Sequence, residues 1–348
     1  MHLASPYARR AWLTLIIALI FVVVVFLRAP RSWTGGDFAQ PQDHARMLLA
    51  GGDPLATPPR NASSIPYPLT ASTLLIPLVW APPALLSILV VLCAVASCRL
   101  MMEVMAPQTD WWAWQLPLAY LPLIFNLTLV QWAPLLLLGM AGGMLLERRG
   151  RTLSAGLAWV SLIAKAQLVP ILALPLGVTL LLTRRWKALG AALAGWIVLL
   201  GISLLLRPGW PLVWWAQTRP YTGGYSAVVV AAPALGLPLL LATLGLAALA
   251  WRRHTDDLLL CALIVAASLC TPQRAIYEAT ALLVAVAYLL RDYRIAAAVI
   301  AASWLILLQP IVRVTPDIMI LLTLYAPLLA GLWIRAWQEN LYRPKASA

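Results

Sequence analysis

Long apolar runs, separated by short polar or basic segments, make up most of this chain. Each run is close to the roughly 20 residues that a helix needs to cross the hydrocarbon of a bilayer. Charged residues and stretches rich in Pro and Gly mark where one run ends and the next begins. The pattern predicts an all-α polytopic membrane protein with about twelve transmembrane helices, starting near Ala11, Pro82, Trp112, Leu129, Ser154, Leu168, Ala188, Ala227, Leu258, Ala275, Ile295 and Ile318.

Composition supports a membrane protein and leaves no room for a soluble domain. The chain is 62% hydrophobic and 11% charged, whereas soluble domains carry about 25% charged residues. Residues 1–348 are therefore expected to form a single integral-membrane domain. The net charge of +13 is attributed to Lys and Arg that flank the cytoplasmic ends of the spans, and no nucleic-acid partner is expected. The four cysteines lie in apolar stretches without a metal-binding spacing, so neither a zinc site nor a disulfide framework is expected.

The positions of the basic clusters predict the topology. Residues 154–183 lie between the clusters at 148–151 and 184–187. If both clusters face the cytoplasm, as the positive-inside rule favours, the segment between them forms a tight hairpin of two short helices. The same rule predicts a multi-pass plasma-membrane protein with both termini in the cytoplasm. Polar segments left over, including the loop of residues 28–69, would then share the extracytoplasmic face.

That first extracytoplasmic loop is the first candidate for an active site. It holds Asp37, Asp43 and Asp53, three of only 12 Asp and Glu residues in the chain. Carboxylates at a membrane exit are scarce because burying a charge in hydrocarbon is costly, and there they could accept a proton from a bound substrate. Within the loop, Asp43–Leu49 predicts a short amphipathic helix at the membrane interface.

Several short motifs follow one another along the chain. The first loop carries Asp37-Phe38, Ala45-Arg46 and the run 48–54. The later motifs are Tyr67-Pro68, Asn126, Gln131-Trp132, Ala155-Gly156-Leu157, Lys165-Ala166-Gln167, Thr271-Pro272, Tyr277-Glu278 and Leu282-Leu283. In this order they resemble the motifs of a known family, glycosyltransferase family 87. Two departures are Ala166 and Glu278, which stand where the family has Pro and Asp.

This resemblance implies a GT-C glycosyltransferase that uses a polyprenyl-phosphate sugar, with mannose first among the sugars. The acceptor would be a lipid or a glycan, and membrane lipids would surround the protein. Asp37 would be the general base of an inverting displacement, because the acceptor hydroxyl must lose a proton as the new bond forms. Lys165 and Arg274 would stabilise the departing phosphate, and Gln131, Tyr277 and Glu278 would contribute to substrate binding.

Alternatives remain at most of these positions. Asp37 either acts as the base or caps the helix that follows. Asp43 either begins that helix as its N-cap or binds the acceptor or a divalent cation, and His44 is either a binding residue or a solvated one. Arg274 and Glu278, four apart, would also suit a helical ion pair.

Three broader alternatives complete the expectations from sequence. The aromatic-rich loop from Arg207 to Tyr225 suits either sugar stacking or an interfacial belt. No cofactor and no metal are expected, although Asp37 with Asp43 would offer oxygen ligands to a divalent cation. The rival function is a transporter or flippase of lipid-linked sugars, for which no inverted repeat is found.

Overall fold

The computed structural model describes residues 33–56, 67–222, 226–272, 276–312 and 314–341, together with scattered positions between 16 and 27. The described residues are almost entirely helical and contain no β-strand, and Ala227 and Pro272 form an isolated bridge. The all-α prediction is confirmed. The first half of the chain forms α1 (Ala39–Leu49), α2 (Leu69–Leu75), α3 (Pro83–Met105), α4 (Leu121–Thr128), α5 (Ala133–Arg148), α6 (Thr152–Trp159) and α7 (Leu174–Leu182).

Short 3-10 and π segments join several helices in both halves of the chain. These segments are Gly36–Phe38, Ile76–Leu78, Trp111–Ala119, Val160–Ile163, Val169–Ala173, Ile276–Leu282, Leu290–Asp292, Leu305–Leu308 and Leu321–Tyr325. The helices of the second half are α8 (Trp186–Leu206), α9 (Trp210–Thr222), α10 (Val228–Ala231), α11 (Pro233–Arg252), α12 (Asp256–Cys270), α13 (Leu283–Leu289), α14 (Tyr293–Trp304), α15 (Gln309–Val312), α16 (Pro316–Ile320) and α17 (Ala326–Leu341).

The predicted count of about twelve crossings is not confirmed. The runs that start near Leu129 and Leu258 form α5 and α12, which are 16 and 15 residues long and therefore short for a full crossing. Most of the run near Ala11 lies outside the described residues. Within the described part of the chain, five helical stretches are long and apolar enough to span a membrane, namely Pro83–Met105, Trp186–Leu206, Pro233–Arg252, Ile276–Val312 and Pro316–Glu339.

Small residues bring α5, α6 and α8 into close contact. A Cβ atom added to Gly143 would lie 2.1 Å from the indole nitrogen of Trp159, and one added to Gly156 would lie 2.5 Å from the carbonyl oxygen of Ala191. Helices in a bilayer gain little from hydrophobic burial against each other, so close backbone packing of this kind holds them together.

Ion pairs connect the helices at one end of the bundle, which we call the ionic end (Glu147, Arg148, Arg185, Asp256, Asp257, Arg291 and Glu339). Arg185 donates hydrogen bonds to Glu147 at 2.7 Å and to Asp256 at 2.6 Å. Asp257 accepts hydrogen bonds from both Arg148 and Arg291, the latter at 2.9 Å. The ends of α5 and α7 and the starts of α8 and α12 therefore lie side by side.

The predicted hairpin between the two basic clusters is present. Glu147 precedes it and Arg185 follows it, so their contact shows that residues 152–182 leave the ionic end and return to it. One arm is α6 with the segment Val160–Ile163, and the other is the π segment Val169–Ala173 with α7. Lys165 therefore lies at the tip of the hairpin, away from the ionic end.

The first loop lies at the opposite end of the bundle. Helix α3 connects the two ends, because Pro83 packs against Gly35 of the first loop while Arg291 of the ionic end donates a hydrogen bond to the carbonyl of Met105 at 2.7 Å. With 23 residues, α3 is about 35 Å long, which exceeds the hydrocarbon thickness of about 30 Å. The first loop and the ionic end are thus a bilayer's thickness apart.

Candidate active site

A glycine turn docks the first loop onto the corner between α4 and α5. Gly35 and Gly36 have φ angles of 78° and 52°, in the left-handed region. A Cβ atom on Gly36 would lie 2.5 Å from the Cβ of Val130, so only glycine fits at this contact. The backbone N–H of Asp37 then donates to the carbonyl of Val130 at 3.3 Å. The turn thereby fixes the backbone position from which the Asp37 side chain extends.

Aromatic side chains complete this contact. Phe38 stacks on Trp132 with ring centroids 4.3 Å apart and planes inclined by 13°, and Tyr67 lies 5.9 Å from the same indole. All three side chains are buried, and such pairs add to the free energy of burial alone. The resulting cluster joins the first loop, the start of α2 and the start of α5.

Tyr67 holds the carboxylate of Asp37. Its hydroxyl donates to Asp37 Oδ2 at 2.7 Å. Burial, and then the negative charge of Asp37, raise the pKa of Tyr67 well above its usual value. The phenol therefore stays protonated and remains a donor. The second oxygen, Oδ1, accepts no hydrogen bond from the described residues, which leaves it available to a substrate hydroxyl.

Lys165 approaches the same place from the tip of the hairpin. The side chain is buried and donates from Nζ to Gln131 Oε1 at 2.8 Å. It also lies over the ring of Tyr277, 5.0 Å from the centroid. The negative charges of Glu278 and Asp37 both act on the ammonium group. A buried cation of this kind requires such compensation, because an isolated charge is costly to remove from water.

Asn126 positions the segment that carries Tyr277 and Glu278. Its Nδ2 donates to the carbonyl of Tyr277 at 3.0 Å and to Thr280 Oγ1 at 3.3 Å. Thr280 in turn donates to the carbonyl of Pro122 in α4 at 2.8 Å. Glu278 is thereby placed with only 2% of its surface exposed. Hydrogen bonds to both neighbouring elements order this 3-10 segment beside Lys165.

Most of the residues proposed from the sequence converge. Tyr67 is one of the motif residues that resemble the family, but the sequence assigned it no role. The structure adds it to the site as the hydrogen-bond partner of Asp37. This contact joins residues 30 positions apart, so it could not be predicted without the fold. Arg274 lies outside the described residues. The five that the structure brings together are Asp37, Gln131, Lys165, Tyr277 and Glu278.

Asp43 and His44 lie elsewhere on α1. The predicted start of this helix was wrong: it begins at Ala39, so Asp43 is inside the helix and is not its N-cap. Asp37 makes no capping hydrogen bond either. Asp43 pairs with Arg46 at 2.7 Å, with its side chain 63% exposed. The Nδ1 atom of His44 is buried without a partner among the described residues.

The predicted aromatic loop from Arg207 to Tyr225 is instead largely helical, because residues 210–222 form α9. Trp210 is buried with Leu55 and Leu69, so it packs as core and does not offer a free face to a sugar. Arg207 forms a bidentate pair with Asp53 at 2.5 and 2.7 Å. Asp53 also accepts from the N–H of Leu55 at 3.0 Å, which closes a turn at this residue.

The convergent groups suit the transfer of a group from an anionic leaving group to a hydroxyl. Asp37 offers a proton acceptor, and Lys165 offers a positive charge in a site shielded from water. No cluster of three or more His, Cys, Asp or Glu residues that could hold a metal occurs within the described ranges.

Comparison with protein-family models places most of the chain in a known family. The family model of glycosyltransferase family 87 matches residues 65–292, about two thirds of the chain. The matched range contains Tyr67, Gln131, Lys165 and Glu278 and begins after Asp37. No curated protein and no solved structure matches the chain.

Proposed function

Because this chain belongs to glycosyltransferase family 87, we propose that it transfers a hexose from a polyprenyl-phosphate donor to a hydroxyl group of a lipid or glycan acceptor. Mannose is the first sugar to test. The reaction inverts the anomeric centre and takes place on the extracytoplasmic face of the plasma membrane. Family membership supports glycosyl transfer, and the donor, sugar, acceptor and stereochemistry are the content of the proposal.

The observation that carries the proposal is that Asp37 and Lys165 contact adjacent residues of the α4–α5 corner, Val130 and Gln131, at the end of the bundle opposite the ionic end. Two distant parts of the chain place a carboxylate and an ammonium group within electrostatic reach of each other. Tyr67 occupies only one oxygen of that carboxylate. One free carboxylate oxygen beside a buried cation is what a single in-line displacement requires.

In this reaction the acceptor oxygen attacks the anomeric carbon from the face opposite the phosphate. Asp37 Oδ1 accepts the hydroxyl proton as the new carbon–oxygen bond forms. The bond from the anomeric carbon to the phosphate oxygen breaks, and its electron pair leaves with the polyprenyl phosphate. Lys165 moves from Gln131 towards the phosphate and stabilises the charge that develops there. A preorganised interaction of this kind contributes several kcal/mol to the transition state.

Charge balance gives Arg274 a part in the proposal. Asp37 and Glu278 together carry two negative charges if both are ionised, and Lys165 carries one positive charge. A donor phosphate adds further negative charge, so the bound complex needs another cation. Arg274 follows α12 closely in sequence and precedes Tyr277 by three residues. We assign it to the phosphate, with a divalent cation as the alternative source of positive charge.

Sugar transfer by the purified protein in nanodiscs tests the proposal. Radiolabelled polyprenyl-phosphate mannose and a membrane-lipid extract are supplied to wild type, Asp37→Asn and Lys165→Met, each with and without EDTA. We expect Asp37→Asn to lower kcat by at least about a hundredfold, as the loss of a general base does. Lys165→Met should lower transfer while leaving the fold intact by size-exclusion chromatography.

The outcomes separate the alternatives. Undiminished transfer by Asp37→Asn would remove Asp37 from the mechanism. Loss of transfer in EDTA would replace Arg274 by a metal as the second cation. Movement of a lipid-linked sugar across the bilayer, without transfer from any donor tested, would favour the transporter.

A further inference from the structure

A cationic groove lies at the ionic end, between two helix turns that are distant in sequence. It has a volume of about 600 Å³ and is separate from the candidate active site. One wall is the turn between α7 and α8, and the other is the turn between α11 and α12. The residues that line it, which we call the Trp186–Trp251 groove, are Leu181, Leu182, Thr183, Arg184, Trp186, Trp251, Arg252 and His254.

The groove combines positive charge with exposed apolar surface. None of its described lining residues is a carboxylate. The neighbouring Arg185 is different, because it turns inward and is neutralised by Glu147 and Asp256. Trp186 and Trp251 are 59% and 50% exposed, and Leu181 is 46% exposed. Cations above exposed leucines, flanked by tryptophans, match an anionic headgroup, its acyl chains and the interface between them.

Backbone conformation gives an independent indication. Arg184 and His254 have φ angles of 58° and 54° and occupy the position after the helix end that usually holds glycine. The two turns close with equivalent backbone hydrogen bonds. In the first, the N–H of Arg185 donates to the carbonyl of Leu180 at 2.9 Å; in the second, the N–H of Thr255 donates to the carbonyl of Ala250 at 3.0 Å. A third turn at this end has Gly150 at the same position, with a φ of 74°.

The comparison with Gly150 shows that these turns can be built without a side chain. Glycine adopts a left-handed conformation without strain, whereas other residues do so at a cost. Val130 also has a positive φ, but it lies at the candidate active site; at the ionic end the described non-glycine residues in this conformation are Arg184 and His254, and both have basic side chains on the groove. Residues kept in an unfavourable conformation point to a function of their side chains.

We propose that the Trp186–Trp251 groove binds the headgroup of an anionic phospholipid. Arg184 and Arg252 contact the phosphate, His254 hydrogen-bonds to the headgroup, and the acyl chains run along Leu181 and Leu182. The occupant is a lipid and not a free anion, since the exposed Leu181 and Leu182 line the groove together with its arginines. Bound there, the lipid joins the α7–α8 turn to the α11–α12 turn.

Binding is measured with full-length, delipidated protein in a neutral detergent, by thermal shift and native mass spectrometry. Dioleoyl phosphatidylglycerol is titrated against dioleoyl phosphatidylcholine. We expect phosphatidylglycerol to raise Tm and phosphatidylcholine to have little effect. The double variant Arg184→Gln with Arg252→Gln should bind phosphatidylglycerol about thirtyfold more weakly, as expected for the loss of two cations at a membrane surface.

A matched control uses Arg149→Gln with Arg151→Gln. These two arginines are also exposed in a turn at the same end of the bundle but do not line the groove. The control should keep wild-type affinity. An equal loss in the control would show a general charge effect and overturn the proposal, as would equal binding of the two lipids. If millimolar glycerol 3-phosphate displaces phosphatidylglycerol, the groove binds a free phosphate compound, and the proposal of a lipid ligand is overturned.

A second variant tests lipid binding in a protein whose folding should not be impaired. Arg184→Gly with His254→Gly relieves the left-handed strain, so this protein should fold at least as well as wild type. It should nevertheless lose the Tm increase that phosphatidylglycerol gives. Retention of that increase would overturn the proposal.

Discussion

The contact between Tyr67 and Asp37 is the single residue pair on which the proposed chemistry depends most. A neutral, buried phenol fixes one carboxylate oxygen and leaves the other for a substrate. The orientation of the base is thereby set by a residue that would touch neither donor nor acceptor. Tyr67 is in this sense a positioning residue, and its effect should appear in kcat and not in substrate binding.

Tyr67→Phe is expected to lower kcat about ten- to a hundredfold with KM for the donor within about twofold. The ring still packs on Trp132, so what is lost is a charge-assisted hydrogen bond of about 1.5–3 kcal/mol. Steady-state kinetics with the labelled donor measure both constants. Tyr288→Phe is the control, since the Tyr288 hydroxyl donates to Glu339 at 3.0 Å at the ionic end. A wild-type kcat in Tyr67→Phe would contradict the positioning role.

The buried imidazole of His44 leads us to expect that the stability of the folded protein depends on pH. Burial lowers the pKa of His44 below its usual value, and the charge of Asp43 opposes this only in part. The unfolded state therefore binds the proton more readily. The contribution of His44 is complete above its unfolded pKa of about 6.5 and declines as pH falls through the range below it. The melting temperature of wild type should fall more steeply between pH 7 and pH 5 than that of His44→Gln. Parallel profiles would show that His44 does not titrate differently on folding.

At the scale of elements, the site is assembled by the docking of the first loop onto the α4–α5 corner. Gly36 allows the approach, and Val130 on the other side also has a positive φ of 51°. These two backbone positions decide how far the carboxylate of Asp37 lies from the side chain of Gln131. Small changes here should therefore affect catalysis more than global stability.

Gly36→Ala should reduce transfer strongly, because the added methyl group would overlap Val130 and displace the loop. Gly51→Ala is the matched control: its φ of 76° imposes the same left-handed strain, but nothing lies within 4 Å of the added atom. Both variants should lose about 1 kcal/mol of stability from the strain. Specific activity per folded molecule, corrected by size-exclusion chromatography, separates them. Equal activities would show that the close contact at Gly36 is unimportant.

Sequence patterns misplaced two helices, α1 and α9. Helix α1 begins four residues before the predicted start, because Pro41 sits in its first turn, where no intrahelical donor is needed. Helix α9 was predicted as part of a loop from Arg207 to Tyr225. Trp210 and Trp214 of this helix instead pack with Leu55 and Leu69, and tertiary contacts of this kind override local preference.

For the whole molecule, the distance between the two ends determines the topology. The first loop and the ionic end are joined by α3 and lie about 35 Å apart along it, a distance long enough to place them on opposite sides of a bilayer. The cations of the ionic end favour the cytoplasm for that side. The candidate active site would then face outward, where a lipid-linked donor is presented.

Cysteine labelling tests this orientation. Cys93, Cys98, Cys261 and Cys270 are first replaced by alanine. Gly51→Cys and Gly150→Cys are then introduced singly, since both positions are exposed and have open space around them. A membrane-impermeant maleimide should label Gly51→Cys only from outside intact cells, and Gly150→Cys only in inverted vesicles. The reverse result would place the active site in the cytoplasm.

The apolar pattern and the order of short motifs were sufficient to predict the all-helical class, the family and the hairpin, and to select Asp37 and Lys165 as candidates for the site. These depend on local composition and on spacing along the chain, which the sequence contains directly. Tertiary structure decided the Tyr67–Asp37 hydrogen bond, the contact of Lys165 with Gln131 and the Trp186–Trp251 groove. Each of these joins residues that are distant in sequence. Their distances are set by how glycines and short helices allow the bundle to pack, which no local pattern records.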